Sequence, residues 1–279
     1  MLRQVRNMHV KAIKMRWLTG GDNYSYLLST QDRTKSWLID PAEVLEVVPN
    51  LDAAERRSIQ VIVNTHHHYD HSGGNVGMLA ALGKDNIKPS VIGGSHTSPA
   101  VTVVPEHMQH LKLGDLEITC IRTPCHTQDS VCYHVKDPQT GEQALFSGDT
   151  LFTAGCGRFF EGTAQEMDAA LNQRLLGGVG EPNWALTKVF PGHEYTKSNV
   201  KFVRKAVYPN PNMNQAFDEL DKFAAENEVT TGHFSLADET QFNPFMRLDD
   251  PLVRQAVGDD GSWSRTQVMD RLRKLKNTM

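Results

Sequence analysis

The chain has 279 residues, with 29 Lys and Arg against 33 Asp and Glu, and 39% of it is hydrophobic. That composition supports a buried core in one or two domains and excludes a disordered, collagen-like or disulfide-framework chain. A formal charge of −4 argues against a nucleic-acid partner, and no apolar run reaches the roughly 18 residues that span a bilayer. Cys120, Cys125, Cys132 and Cys156 form no CxxC pair and read as small core residues kept in a reducing compartment.

In chain order, the first acidic residue is Asp22, preceded by Arg3, Arg6, Lys11, Lys14 and Arg16. Such an acid-free basic start suits a mitochondrial address. Residues 9–17 also alternate as a strand does, with Val10 and Ala12 set against Lys11 and Lys14, and the opening strand is the favoured reading. Brief β-rich runs follow at 24–28, 37–39, 60–63, 90–92, 101–104, 116–121, 131–135 and 144–146. Asp40-Pro41, Gly93-Gly94 and Asp137-Pro138 break them up, and helices interrupt at 75–82 and 164–176. Strands with interspersed helices predict a layered α/β domain. Beyond Tyr195 the helical period dominates, at 198–207, 214–225 and 266–276, and in the last run Val268, Leu272 and Leu275 share one face. The expected division is therefore 1–193, then a smaller helical domain over 194–279.

The informative segment is Asn64-Thr65-His66-His67-His68-Tyr69-Asp70-His71-Ser72-Gly73-Gly74-Asn75, directly after the apolar run Val61-Ile62-Val63. In open α/β sheets ligands bind at the carboxyl ends of strands. If the strand continued, His66 and His68 would point to one face, while Asp70 and His71, past the turn, would face a second point nearby. Gly73-Gly74 would let the backbone bend tightly. A surface loop explains a lone histidine, but not this many ligand side chains crowded behind a buried strand. Three partners lie downstream at the ends of apolar runs: His126 in Thr123-Pro124-Cys125-His126-Thr127, Asp149 in Ser147-Gly148-Asp149-Thr150, and His193 in Pro191-Gly192-His193-Glu194-Tyr195. Together these supply seven candidate metal ligands.

The order His66-x-His68-x-Asp70-His71, His126, Asp149, His193 resembles the metallo-β-lactamase superfamily. Within it, the chain is most similar to the glyoxalase II (hydroxyacylglutathione hydrolase) family, and to its fungal forms. Gly155-Cys156-Gly157-Arg158-Phe159-Phe160-Glu161-Gly162-Thr163, Pro191-Gly192-His193-Glu194-Tyr195-Thr196 and Asn243-Pro244-Phe245-Met246-Arg247 carry that narrower likeness, which covers nearly the whole chain. The resemblance implies an α/β fold, an αββα sandwich followed by a smaller helical domain. It implies His66, His68 and His126 on a first metal, Asp70, His71 and His193 on a second, and Asp149 between them, with Asp149 and Asp70 as the catalytic carboxylates. His67 has no ligand role in the family and is expected in a supporting position. The cofactor implied is two divalent ions, zinc first, with iron or manganese compatible with the same nitrogen and oxygen donors.

Two ions about 3.5–4 Å apart can share one hydroxide at neutral pH. A thioester suits this machinery, because its thiolate leaving group, with a free-thiol pKa of about 8.5, departs without a dedicated acid. The implied reaction is hydrolysis of S-D-lactoylglutathione and related 2-hydroxyacylglutathiones to D-lactate and glutathione, the second step of methylglyoxal detoxification. By the same resemblance Arg158, Phe160, His193, Tyr195, Arg273 and Lys276 bind the substrate, which needs cations for its carboxylates. Arg158 stands where the family often has lysine and Phe160 where it often has tyrosine, which bears on affinity more than on chemistry. The expected partner is this small molecule alone, with no nucleic acid or membrane, for a monomer in the cytoplasm or the mitochondrial matrix. The rival readings are a lactonase or β-lactamase, a glutathione-dependent sulfur dioxygenase, a metal-dependent nuclease and a non-catalytic metal-binding module. A sulfur dioxygenase would lack the helical tail and the full second ligand set.

Overall fold

The computed structural model describes residues 8–16 and 22–279; Arg3, Arg6 and Trp17 lie outside them. One sheet takes β1 (His9–Arg16), β2 (Asp22–Ser29), β3 (Ser36–Ile39), β4 (Ile59–Val63) and β5 (Ser90–Ile92) in that spatial order. The pairs β3–β4 and β4–β5 are parallel and the others antiparallel. A second sheet contains β6 (Gln109–Leu113), β7 (Leu116–Arg122), β8 (Val131–Lys136) and β9 (Gln143–Gly148). A small hairpin, β10 (Leu151–Phe152) and β11 (Gly155–Cys156), follows, and β12 (Thr187–Pro191) then pairs parallel with β9 at the sheet's edge.

The layers follow from which faces are apolar. Tyr24, Tyr26, Leu28 and Trp37 of the first sheet pack against Ile118, Cys120, Tyr133 and Phe146 of the second and fill the space between them. Each such buried side chain contributes about 1.5–3 kcal/mol by leaving water. Ile13, Met15, Leu27 and Leu38 bury the first sheet's outer face beneath Met78 and Leu82 of the helix Asn75–Gly83. The second sheet's outer face, with Ile121, Cys132, Leu145 and Val189, packs on Met167, Leu171 and Leu175. That cluster continues into Phe217, Leu220, Phe242, Phe245 and Leu272 of the C-terminal helices, so the helical tail shares a core with the sandwich. The result is the αββα arrangement with its helical extension.

Several expectations shift in detail. In β1 the fully buried residues are Ile13 and Met15, on the helix-covered face; Val10 is half-buried and Ala12 exposed. Its cations are engaged at the surface, Lys11 with Glu55 at 2.8 Å and Lys14 with Asp22 at 3.5 Å. The run 101–104 makes no strand; only Val103 bridges to Ile92, because Ala100 takes a positive φ of 61° and the segment turns away. The helix expected at 164–176 starts as Ala164–Ala169 under a Thr163 capping box, widens into a π-helical stretch at Ala170–Leu175 and closes at Leu176–Val179. The three helices expected in the tail form at Thr196–Ala206, Gln215–Glu226 and Arg265–Asn277, and Leu236–Phe242 and Pro251–Val257 add two more. All four cysteines are free and buried, as expected, and burial pushes the Cys120 and Cys125 thiols up to about 12.

Candidate metal centre

The strands end where the chemistry begins. His66 follows β4, His126 follows β7, Asp149 follows β9 and His193 follows β12, all at one rim of the sandwich. β4 stops at Val63, so His66 and His68 converge from a loop rather than from the continued strand that the spacing suggested. Asp70 and His71 stand on the one-turn helix Tyr69–Ser72. Gly73 and Gly74 have ordinary helical φ of −60° and −83°, not a sharp bend. Close approach requires the second of them, since a Cβ at Gly74 would lie 1.9 Å from the Pro41 carbonyl oxygen.

All seven expected ligands come together. His68 Nδ1 lies 3.1 Å from both His66 Nε2 and His126 Nε2. On the other side His71 Nε2 and His193 Nε2 are 3.3 Å apart, and Asp70 Oδ2 is 3.5 Å from His193 Nε2. Asp149 faces both groups: Oδ2 is 3.4 Å from His126 Nε2 and 3.3 Å from His193 Nε2, and Oδ1 is 3.4 Å from His71 Nε2. His66, His68 and His126 form one set of ligand atoms within 4.8 Å of one another, and Asp70, His71 and His193 form another.

The donor chemistry suits cations held in common. Imidazole nitrogens aimed at one another cannot all donate, and Asp149 Oδ1 is buried with no hydrogen-bond partner. Burial depresses the basicity of His66, His68 and His126 and keeps them in the neutral form that ligates. Burial alone would do the same to His71, but Asp149 and Asp40 raise it well above the ordinary histidine range. Burial likewise opposes the Asp149 carboxylate, and His193 and His71 outweigh it, holding its pKa well below the usual range. The cluster therefore calls for positive charge at its centre, and the residues fit a binuclear metal site.

Sequence reasoning missed the groups that aim the ligands. The buried Asp40 accepts from the Thr65 backbone N–H at 2.8 Å and from Thr65 Oγ1 at 2.7 Å, and it holds His71 Nδ1 at 3.0 Å. Asn23 donates to the Asp70 carbonyl at 2.8 Å and to its carboxylate at 3.1 Å. His126 Nδ1 donates to the Arg158 carbonyl oxygen at 2.9 Å. Of these, Asp40 alone left a trace, in the Asp-Pro pair read as a turn.

The expected substrate residues fall into two places. Exposed Phe160 lies edge-on to His68 and His126, with ring centroids 5.6 Å and 5.3 Å away, and Arg158 is exposed on the same loop. Tyr195 stacks on His193 at 4.6 Å and 3°, and burial pushes its hydroxyl up to about 12. Arg273 is buried and donates to the Cys156 carbonyl at 3.0 Å. Lys276 donates to Asn199 Oδ1, and burial beside Arg273 pushes its amine down to about 7. Both basic side chains thus flank β11, the strand that leads into Arg158.

Residues 18–193 match the metallo-beta-lactamase superfamily, and residues 194–279 match the hydroxyacylglutathione hydrolase C-terminus. The mitochondrial hydroxyacylglutathione hydrolase of Saccharomyces cerevisiae is 61% identical over 100% of this chain and 99% of its own length. The chain belongs to the hydroxyacylglutathione hydrolase family. The cytoplasmic isozyme of the same yeast is 60% identical, over 98% of this chain and 100% of its own. Among solved structures, ETHE1 from Myxococcus xanthus shares the family's fold, with a TM-score of 0.61 at 20% identity over 94% of this chain and 95% of that one.

Proposed function

We propose that the chain hydrolyses S-D-lactoylglutathione and related S-2-hydroxyacylglutathiones to D-lactate and glutathione, the second step of methylglyoxal detoxification. The observation that carries this reading is a pair of basic side chains, Arg273 and Lys276, set against the strand that leads into Arg158 and Phe160 beside the histidine cluster. A lactone or a β-lactam has no use for such a basic flank, whereas glutathione brings two carboxylates to it.

In this reading His66, His68 and His126 hold one divalent ion, Asp70, His71 and His193 hold the second, and Asp149 serves both. Zinc is the expected metal, and iron or manganese suits the same donors. Bound there, the ions supply hydroxide at neutral pH and Lewis acidity toward the thioester carbonyl. The chain's own residues do the rest. Asp149 and Asp70 bring negative charge to the centre, and Asp40 and Asn23 fix the orientation of His71 and Asp70. Phe160 lies along one side of the first histidine group and Tyr195 fixes the His193 ring by stacking. A thiolate, with a free-thiol pKa of about 8.5, needs no dedicated proton donor to leave. Residues 1–193 carry the ligands, and 194–279 contribute Tyr195, Arg273 and Lys276 to the glutathione end. A monomer acting on a small molecule suffices for this chemistry. No helix among the described residues is long and apolar enough to cross a membrane. The cytoplasm is the expected compartment; one yeast relative is named as a cytoplasmic isozyme and another as mitochondrial.

The test is the loss of thioester ultraviolet absorbance when purified protein meets S-D-lactoylglutathione, run beside a lactone and glutathione persulfide. Metal-dependent turnover of the thioester alone supports the reading. Oxygen consumption on the persulfide, or lactone opening with the thioester untouched, overturns it.

A further inference from the structure

His67 sits inside the ligand motif, yet its ring turns away from the centre. Its Nδ1 donates to Asp129 Oδ1 at 2.8 Å and its Nε2 lies 3.4 Å from Glu161 Oε1. Asp129 is only 6% exposed and gathers three segments: it also accepts from Thr127 Oγ1 and from Ser95 Oγ, each at 2.7 Å. Glu161 accepts from the Gln128 backbone N–H at 2.6 Å, and its own carbonyl accepts from Gln128 Nε2 at 2.9 Å. The loop lies flush on this turn, since a Cβ at Gly162 would stand 2.6 Å from Cys125 Cα.

The loop 157–162 is therefore fastened at both ends. Near its start the Arg158 carbonyl accepts from His126 Nδ1, and near its finish Glu161 is tied to Gln128 and His67. Arg158 stands at the first fastening, and Phe160 lies between the two. Phe160 is 61% exposed, so its own burial does not hold it over His68 and His126. Its backbone must do so. We propose that Glu161, backed by the His67–Asp129 pair, is a positioning residue that braces the substrate loop against the metal-ligand segment and pre-sets Arg158 and Phe160 for the glutathione end of the substrate. The proposal rests on the reading of this loop as the glutathione-facing one. A loop ordered before binding costs less to order on binding, so the brace acts on substrate affinity. It touches neither the reacting carbonyl nor a metal ion.

The experiment compares the metal-loaded wild type with Glu161→Ala and Glu161→Gln. It measures KM, kcat, bound metal and backbone amide exchange over 157–162. Glu161→Ala is expected to raise KM about tenfold, with kcat and metal content unchanged and faster exchange confined to the loop. Glu161→Gln keeps an oxygen that accepts the Gln128 N–H and is expected to restore most of the affinity and the exchange protection. An unchanged KM in Glu161→Ala, an equal rise in both variants, or loss of fold or metal in Glu161→Ala overturns the brace. If the wild type does not turn over the thioester, the functional reading fails by itself. The exchange measurement then still decides the brace: faster loop exchange in Glu161→Ala upholds it, and unchanged exchange overturns it.

Discussion

Replacing Asp40 with asparagine tests how the second ligand group is aimed. Asp40 is 2% exposed and makes three contacts: Thr65 N–H at 2.8 Å, Thr65 Oγ1 at 2.7 Å and His71 Nδ1 at 3.0 Å. A carboxylate accepts all three. With Asp40→Asn, one oxygen becomes an NH2 group. If the oxygen stays on the Thr65 N–H, the new amide donates toward His71 Nδ1. The imidazole proton must then move to Nε2, the atom that faces His193 and Asp149. The lone pair meant for a metal ion is lost. If the amide flips instead, two buried donors face each other, at about 1–3 kcal/mol. Changes to such supporting carboxylates typically cost about 10–100-fold in metal affinity, which is about 1.4–2.8 kcal/mol at 1.4 kcal/mol per factor of ten. The assay is competition for metal with a chelator of known affinity, beside a thermal melt. We expect one of two bound ions to weaken by that factor, with Tm lowered by a few degrees. Two ions held as tightly as in the wild type would refute the argument.

Asp149→Asn should lose activity and much of the bound metal together, because Asp149 faces both ligand groups; full activity in that variant, measured beside metal analysis, would sink its shared role. The double variant Arg273→Ala with Lys276→Ala should chiefly raise KM and leave metal content intact. It should also lower Tm somewhat, since the Cys156 carbonyl loses its donor. Loss of metal instead would remove the tail from the substrate site. Glu239 is fully buried, and burial pushes its carboxyl up to about 8, well above the ordinary glutamate value of 4.5. Its protonated form is favoured in the fold, so the stability it contributes is complete below about pH 4.5 and is lost as pH rises toward 8. Glu239→Gln keeps an acceptor for the Ala154 N–H and Asn243 Nδ2. Its Tm should therefore gain on the wild type as pH rises from 5 to 8; a constant Tm difference across that range would contradict the buried neutral acid.

What the sequence made legible was set by local signals. His66, His126, Asp149 and His193 each end an apolar run, and apolar runs mark strands whether or not the partner strand is known. The tail helices showed because Val268 and Leu272 recur on one buried face. β10 and β11 did not show, since two-residue strands carry no period. The helix Pro251–Val257 was overlooked although Asp250 caps it and proline opens it. In β1 the lysines blurred the phase, and the sheet chose Ile13 and Met15. The supporting polar residues were hidden for a different reason. Asp40, Asn23 and Asp129 reach Thr65, Asp70 and His67 from 25, 47 and 62 residues away, and only the folded layers bring them there. A buried carboxylate gives no local sign of which histidine it will orient.

If the seven ligands serve two ions in one thioester hydrolase, bound metal and turnover must rise together. The most direct measurement strips the protein of metal, returns zinc in steps and follows bound metal and S-D-lactoylglutathione hydrolysis in the same samples. Negligible turnover is expected in the stripped protein, with a plateau reached only when two ions are bound. Undiminished turnover without metal, or no turnover with both ions in place, would contradict the two-ion assignment.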